Sequence, residues 1–180
     1  MTGESDAQLI RRVLAGEREV YAQLVERYRD RLGRYALRML GERADAEDAL
    51  QETFVRAYRS LGRCEPDKFG AWVYGILVNR CRTHGARRAR TNDWMVNNEQ
   101  AMARAAVAHS EERDTLRDAI KWAVDQLPTD QREAFLLKHV EDLSYETMEQ
   151  MTGVRPSALR MRVLRAREGL QKLLAEAAHD

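Results

Sequence analysis

The chain has 180 residues, enough for one large or two small domains, and 30 Lys and Arg balance 29 Asp and Glu. Because net charge is near zero, local patches of charge are the guide to partners. Two cysteines, Cys64 and Cys81, are too few for a disulfide scaffold and lack metal-ligand spacing. No apolar run reaches the length of a membrane span, and "MTGESDAQLIRR" lacks a signal-peptide core. We therefore expect a soluble cytoplasmic protein with two free thiols and without a metal or cofactor.

Apolar residues recur at helical spacing along the chain and β-branched runs are short, so the pattern predicts an all-α fold. The first predicted helix ends near Gly16 and the second ends at Gly41. Asp45 is the predicted N-cap of a third helix, and a fourth begins near Phe69. The third helix carries one apolar stripe, formed by Leu50, Phe54, Ala57 and Leu61.

Acids dominate the start of the third predicted helix, where positions 41 to 52 hold five of them against the single base Arg43. If the apolar stripe faces inward, residues three or four positions apart share an outer face that could dock on a basic coiled coil. These residues are Asp48, Gln51, Glu52 and Val55. The helix dipole also favours acids in a first turn. The dipole alone could account for Asp45, Glu47 and Asp48, but it leaves Gln51 and Glu52 unexplained.

No acid occurs between Lys68 and Asn92, and this stretch suits a polyanionic partner. Its arginines could hold the phosphates of a separated nucleic-acid strand. The candidates are Arg80, Arg82, Arg87 and Arg88. Asn79 could read a flipped base or form a hydrogen bond within its own helix. Trp72 lies on the apolar side of the predicted helix, so a core position is its simpler interpretation.

The stretch 91–114 is rich in Asn, Ala, Met and charge and lacks a stable apolar stripe. We interpret it as a flexible linker, partly helical, between two helical domains, 1–90 and 115–180. In the second domain, Pro128 ends one helix and Ser144 has the side chain of an N-cap. Gly153 then marks a tight turn between two further helices.

The segment "GVRPSALRMRVLRAR", which begins at that turn, holds five arginines in 15 residues. Pro156 suits a first helical turn, and the inner stripe that follows is Leu159, Val163, Ala166, Leu170 and Leu173. Two helices joined by a glycine turn, the second one basic, are typical of a helix-turn-helix that reads DNA. The alternative is a basic amphipathic helix whose arginines only face solvent.

Residues on or beside the outer face of this helix are the candidates for contact with duplex DNA. They are Arg155, Ser157, Ala158, Arg160, Met161, Arg162 and Arg165. Arginine can pair with guanine edges or with phosphates, and small residues let the backbone approach a groove. Ala158 and Met161 could touch thymine methyl groups. Arg162 points partly back toward the inner stripe and could brace the turn.

Residues 127–170, "LPTDQREAFLLKHVEDLSYETMEQMTGVRPSALRMRVLRAREGL", resemble the DNA-binding C-terminal domain of extracytoplasmic-function sigma factors. These are small two-domain promoter-specificity subunits of bacterial RNA polymerase. In the N-terminal half, "ADAEDALQETFVRAY" resembles the polymerase-binding helix of this family and "AWVYGILVNR" resembles its promoter-melting helix. The resemblance covers nearly the whole chain apart from the linker.

The resemblance implies a transcription initiation factor without catalysis of its own. The outer face of the third helix would bind the clamp helices of the largest subunit of core RNA polymerase. The C-terminal domain would read the upstream promoter element in duplex DNA, and the N-terminal domain would capture the downstream element as a single strand. Many members of the family are also bound by an anti-sigma factor, so the resemblance implies such a protein as a further possible partner.

Several positions depart from the family pattern. The family usually has a small residue at Glu149, a Gly-Thr pair at Ser157-Ala158, a serine at Met161 and an aspartate at Thr83. Because Ala158 and Met161 lie on the reading face, the usual upstream promoter sequence is not predicted for this chain. Glu149 must point outward or meet a basic partner, since a buried unpaired carboxylate is costly.

Two other classes of function remain open at the level of sequence. A stand-alone helix-turn-helix regulator would bind operators without polymerase, but it would not need the outer face of the third helix. A protein-binding adaptor would use the basic patches only as solvated surfaces. Enzyme motifs are missing, since the four histidines are scattered, no GxxxxGK occurs, and Ser144 has the context of a cap.

Overall fold

The computed structural model describes residues 4–95 and 112–177, and their side chains at 4–87 and 118–176. Every regular element in these two ranges is helical, so the predicted all-α class is confirmed. None of the helices in the described ranges is both long and apolar enough to cross a bilayer.

The described part of the N-terminal half contains four α-helices: α1 (Asp6–Leu14), α2 (Tyr21–Leu40), α3 (Arg43–Arg59) and α4 (Phe69–Met95). Ser5 caps α1 reciprocally with Gln8, each side chain accepting a hydrogen bond from the backbone N–H of the other residue. Gly16 and Gly41 follow the first two helices with φ of 111° and 76°. Glycine is favoured at such left-handed positions because it has no Cβ, and both helices end where the sequence predicts.

The predicted start of the third helix is wrong by a short distance. α3 begins at Arg43 with Glu42 at the N-cap, and Asp45 lies inside the first turn. The acid therefore interacts with the helix dipole and does not cap the helix. Along the predicted stripe, Phe54, Ala57 and Leu61 are buried, but Leu61 lies in a 3₁₀ turn, Leu61–Arg63, after α3 has ended.

Between residues 112 and 177, the C-terminal half contains four α-helices: α5 (Glu112–Gln126), α6 (Thr129–Phe135), α7 (Tyr145–Thr152) and α8 (Pro156–Ala177). A π-helical turn, Leu136–Val140, continues α6. The Ser144 hydroxyl accepts a hydrogen bond from the Thr147 N–H at 3.1 Å and caps α7, in agreement with the sequence. Gly153 follows α7 with φ of 69°, so the turn of the helix-turn-helix is built on the predicted glycine.

Aromatic packing joins the helices of the N-terminal half. Tyr28 of α2 meets Phe69 of α4 edge-on, with 5.3 Å between ring centres. Gly70 makes this approach possible, because a Cβ at that position would lie 3.0 Å from the Tyr28 hydroxyl. Trp72 is half-buried and packs against the core, as its position in the sequence indicates.

The two halves of the chain pack on each other through α4 and α7. A Cβ on Gly75 would lie 3.6 Å from the Cα of Met151, so the two backbones come close at this point. α4 continues through Met95 and α5 begins at Glu112, so helix extends into the predicted linker from both sides. Residues 96–111 of that linker lie outside the described residues.

The two cysteines, Cys64 and Cys81, are buried and free. Burial raises the pKa of the Cys64 thiol to about 11 and that of the Cys81 thiol to about 12. Both side chains therefore remain protonated near neutral pH and act as small apolar groups in the core.

The two faces of α8 predict opposite effects of leucine truncation. Leu159→Ala should lower the free energy of unfolding by about 2–5 kcal/mol, because Leu159 is fully buried and its removal leaves a cavity. Leu164→Ala on the outer face should change it by less than about 0.5 kcal/mol, because Leu164 is 47% exposed. Urea denaturation of both variants measures the difference, and equal effects would contradict this orientation of the helix.

Candidate nucleic-acid and protein-binding surfaces

α8 separates its residues into a buried and an exposed face, as the periodicity predicts. Leu159, Val163, Ala166 and Leu170 are buried. Six of the seven candidates for duplex DNA contact are exposed, and the seventh, Arg162, is half-buried. Met161 is 48% exposed, which leaves its thioether free to meet an apolar group in a groove. The exposed face thus combines small side chains, an apolar side chain and guanidinium groups, which are the groups that read base edges in a DNA groove.

Arg160 lies over an aromatic ring at the base of the reading face. Its Cζ is 5.0 Å from the centre of the Tyr145 ring, and the Lys138 Nζ is 5.3 Å from the same centre. The pKa of Glu146 is lowered mainly by hydrogen bonds from its own backbone N–H and from Ser144, with the charges of Arg160 and Lys138 adding to the effect. No pattern in the sequence predicts the contact between Tyr145 and Arg160, which joins α7 to α8.

The structure shows the surroundings of Arg162 and Glu149, which the sequence did not decide. The Arg162 Nε lies 3.3 Å from the Asp130 Oδ2, so this arginine joins α8 to the start of α6. Arg162 therefore braces the helix-turn-helix in this structure. Glu149 is exposed on α7, and the cost of a buried carboxylate does not arise.

The outer face of α3 forms an exposed surface as predicted. Asp48, Gln51 and Val55 are exposed, and the side chain of Glu52 is 42% exposed. Tyr58, one turn beyond Val55, extends the same surface with an exposed aromatic ring. Helical spacing could have identified Tyr58 from the sequence, because it continues the three-residue step from Val55.

Glu52 also faces α4, where it approaches two groups of the basic stretch. Its Oε2 is 3.5 Å from the Arg80 Nη1, and its Oε1 is 3.6 Å from the His84 Nε2. Both partners are largely buried, with side-chain exposures of 17% and 12%. The structure thus brings a predicted polymerase-binding residue into contact with a predicted strand-binding residue.

Arg82 of α4 forms three hydrogen bonds with the C-terminal half of the chain. Its Nε and Nη2 donate to the two carboxylate oxygens of Glu133 at 2.7 Å and 2.6 Å, and its Nη1 donates to the Thr152 carbonyl at 3.0 Å. The Glu133 side chain is 3% exposed. Hydrogen bonding to Glu133 raises the pKa of Arg82. Three of the five N–H groups of the guanidinium are therefore used within the chain, and the edge formed by Nε and Nη2 is occupied by Glu133.

The other candidates for strand binding are arranged along the same helix. Asn79 is exposed and lines a cleft of about 500 Å³ between α4 and α7, beside Gln150 and Met151. Arg87 is exposed near the end of the described side chains. Arg88 belongs to α4, but its side chain lies outside the described residues.

Two further arginines form hydrogen bonds between the N-terminal and C-terminal halves. The Arg31 Nε of α2 donates to Glu141 Oε2 at 2.7 Å, and the Glu141 side chain is 6% exposed. Arg132 of α6 donates to the Met39 carbonyl of α2 at 3.1 Å. Sequence patterns gave no signal for these contacts, because the partners are far apart in the chain.

Comparison with known proteins decides the family. The family model of Sigma-70 region 2 matches residues 24–91, and that of Sigma-70 region 4 matches residues 117–170. The RNA polymerase sigma-H factor of Pseudomonas aeruginosa is 35% identical over 97% of this chain and 96% of its own length. The ECF RNA polymerase sigma factor SigE of Mycolicibacterium smegmatis is 33% identical over 88% of this chain and 63% of its own length. The chain belongs to the extracytoplasmic-function sigma factors of RNA polymerase.

A solved relative has the same fold across both halves of the sigma factor. The sigma factor RpoE of Bartonella quintana, solved in complex with the anti-sigma factor NepR, has a TM-score of 0.68 and 26% sequence identity. The match covers 86% of this chain and 96% of that one. Membership of this family confirms the function implied by the resemblance, which is to confer promoter specificity at transcription initiation.

The two matched regions divide the candidate residues of the sigma factor between them. The outer face of α3 and the arginines of α4 lie in region 2, and the exposed face of α8 lies in region 4. The roles of the individual residues stay predictions.

Proposed function

We propose that this sigma factor binds core RNA polymerase through α3 and reads promoter DNA through α8 and α4. The observation that carries the proposal is the exposed face of α8, where guanidinium groups alternate with small and apolar side chains above a buried stripe. A groove of duplex DNA is the partner that combines phosphates with readable base edges. The factor acts by binding in the cytoplasm, and RNA synthesis is the chemistry of the polymerase.

The polymerase contact in this proposal is the surface of Asp48, Gln51, Glu52 and Val55. Carboxylates on an exposed helix suit the basic face of a coiled coil, such as the clamp helices of the largest subunit. Val55 and Tyr58 add apolar area next to the charges, and mixed surfaces of this kind are typical of protein interfaces.

The single-stranded downstream element is the proposed partner of α4. Asn79 and Arg87 are exposed on it, and Arg80, Arg82 and Arg88 would add positive charge along a strand. Arg80 and Arg82 are paired with carboxylates in this structure, so phosphates would have to replace Glu52 and Glu133 as their partners. An anti-sigma factor is a further proposed partner, supported by the complex in which the RpoE relative was solved.

Charge reversal on α3 tests polymerase binding. Glu52→Arg should weaken the affinity for core polymerase by about 2 kcal/mol or more, because it places a cation opposite a basic partner. Glu176→Arg is the matched control, since Glu176 is an exposed acid near the end of α8. Binding titrations and run-off transcription measure both variants, with circular dichroism to verify folding. Wild-type affinity of Glu52→Arg would refute docking through this face.

Two arginines of α8 should differ in what they read. Arg160→Ala should cost about 1–3 kcal/mol and relax the preference at one base pair, because Arg160 lies near the helix N-terminus where base edges are within reach. Arg165→Ala should weaken binding to all sequences alike and reduce the salt slope by about one, as expected for a phosphate contact.

Affinities for a panel of single-base promoter variants, each measured at two or more salt concentrations, distinguish these effects. If both substitutions lower affinity uniformly without a change in base preference, α8 is an electrostatic anchor. The promoter sequence is then read mainly by the N-terminal half.

A further inference from the structure

The first inference starts from the surroundings of Arg160. Tyr145 is the first residue of α7, is half-buried and packs against the hydrophobic core, so its ring has a fixed support. The guanidinium carbon of Arg160 lies 5.0 Å from the ring centre. Lys138 approaches the same ring and is itself fixed, since its Nζ donates to the Leu143 carbonyl at 3.0 Å.

An exposed arginine samples many rotamers, and ordering it when DNA binds costs free energy. The negative face of an aromatic ring attracts a guanidinium without neutralising its charge. A ring contact can therefore restrict Arg160 before binding and leave its N–H groups available to a base or phosphate. A carboxylate partner would instead occupy those N–H groups and repel the DNA backbone.

We propose that Tyr145 is a positioning residue for promoter recognition. Its ring holds Arg160 in the orientation that reads a base pair, and it acts through Arg160 without touching DNA itself. The proposal rests on the role of Arg160 given above under the proposed function.

Two substitutions of Tyr145 test the role of the ring. Tyr145→Leu keeps an apolar side chain at the site but removes the ring, and it should reduce discrimination at the base pair read by Arg160 about two- to fivefold. Tyr145→Phe keeps the ring and should retain the wild-type base preference and affinity. Binding of the full chain to the single-base panel measures both, and thermal unfolding verifies that each variant is folded.

The outcomes separate this inference from the proposed function. If Tyr145→Leu leaves base preference unchanged while Arg160→Ala relaxes it, the positioning role is refuted. If Tyr145→Phe weakens binding to every sequence alike, the hydroxyl contacts DNA and the inference is again overturned. If Arg160→Ala itself changes no preference, the proposed role of Arg160 fails and the positioning role fails with it. In the double variant, Tyr145→Leu should add no further loss of preference to that of Arg160→Ala.

An independent observation carries a second inference, which concerns the contact between the two halves. Arg82 uses three nitrogens to bind Glu133 and the Thr152 carbonyl, and Arg31 binds Glu141 from another helix. Both carboxylates are almost entirely buried. Buried carboxylates are tolerated when they are paired, so these arginines hold the two halves together in a defined orientation.

The closed arrangement also removes a cation from the proposed strand-binding surface. Glu133 occupies the guanidinium of Arg82 with the bidentate geometry that a phosphate would otherwise adopt. The pair can separate when the halves move apart, because water then solvates both charges and its net contribution to closure is modest.

We infer that, in the closed arrangement of the free sigma factor, Glu133 competes with the promoter strand for Arg82. Opening of the two halves then couples promoter capture to release of this pair. The effect on strand binding rests on the proposed function of α4, whereas closure itself does not.

Distances between spin labels on the full chain test closure. Labels at Glu26→Cys on α2 and Lys172→Cys on α8 are both on exposed side chains, and the native thiols are buried. The closed state should give a single narrow distance distribution. Glu133→Arg should broaden it and shift it to longer distances by repelling Arg82, and the charge swap with Arg82→Glu should restore the narrow distribution. A broad distribution in the unsubstituted chain, or no response to Glu133→Arg with both variants folded, would overturn closure.

Strand affinity tests the competition separately. Glu133→Gln should raise the affinity of the free sigma factor for single-stranded DNA of the downstream element. Glu168→Gln, an exposed acid on α8, should leave that affinity unchanged. Should Glu133→Gln and Glu168→Gln both bind the strand as the wild type does, Glu133 does not compete for Arg82, even if the label distances establish closure.

Discussion

The ion pair between Arg82 and Glu133 fixes how the two halves are oriented, although its net contribution to the free energy of closure is modest. Glu133 is buried in the C-terminal half, where an unpaired carboxylate would be costly, and its partner comes from α4. The same guanidinium reaches the Thr152 carbonyl, at the end of α7 and directly before the glycine turn. One side chain of region 2 therefore contacts α6 and α7, two of the helices that pack against α8.

The packing of the buried face of α8 determines which of its side chains are exposed. Leu159 and Val163 are buried on one side of α8, which directs Ser157, Met161 and Leu164 to the other side. Contacts at the edges of the helix refine this orientation. Arg162 reaches Asp130 of α6, and Arg160 lies on the Tyr145 ring of α7.

Functional surfaces that the sequence separates are adjacent in the fold. Glu52 belongs to the proposed polymerase-binding face, yet it lies between Arg80 and His84 of the proposed strand-binding helix. A partner that engages the carboxylate on α3 therefore changes the electrostatic surroundings of α4 directly. This adjacency gives a short physical route between binding of the polymerase and binding of the strand, without a long chain of intervening contacts.

The sequence by itself determined the helices, the glycine turns, the Ser144 cap and the division of α8 into two faces. These features depend on interactions within a few residues, such as cap hydrogen bonds, left-handed glycines and helical periodicity. The start of α3 differed from its prediction because several neighbouring acids suit a first turn and only the backbone selects the cap. Only the tertiary structure decided that Arg82 meets Glu133, that Glu52 meets Arg80 and that Arg160 lies on Tyr145. Those contacts depend on how helices cross, and the pattern of apolar residues along one helix does not encode which polar side chain of another helix it will face.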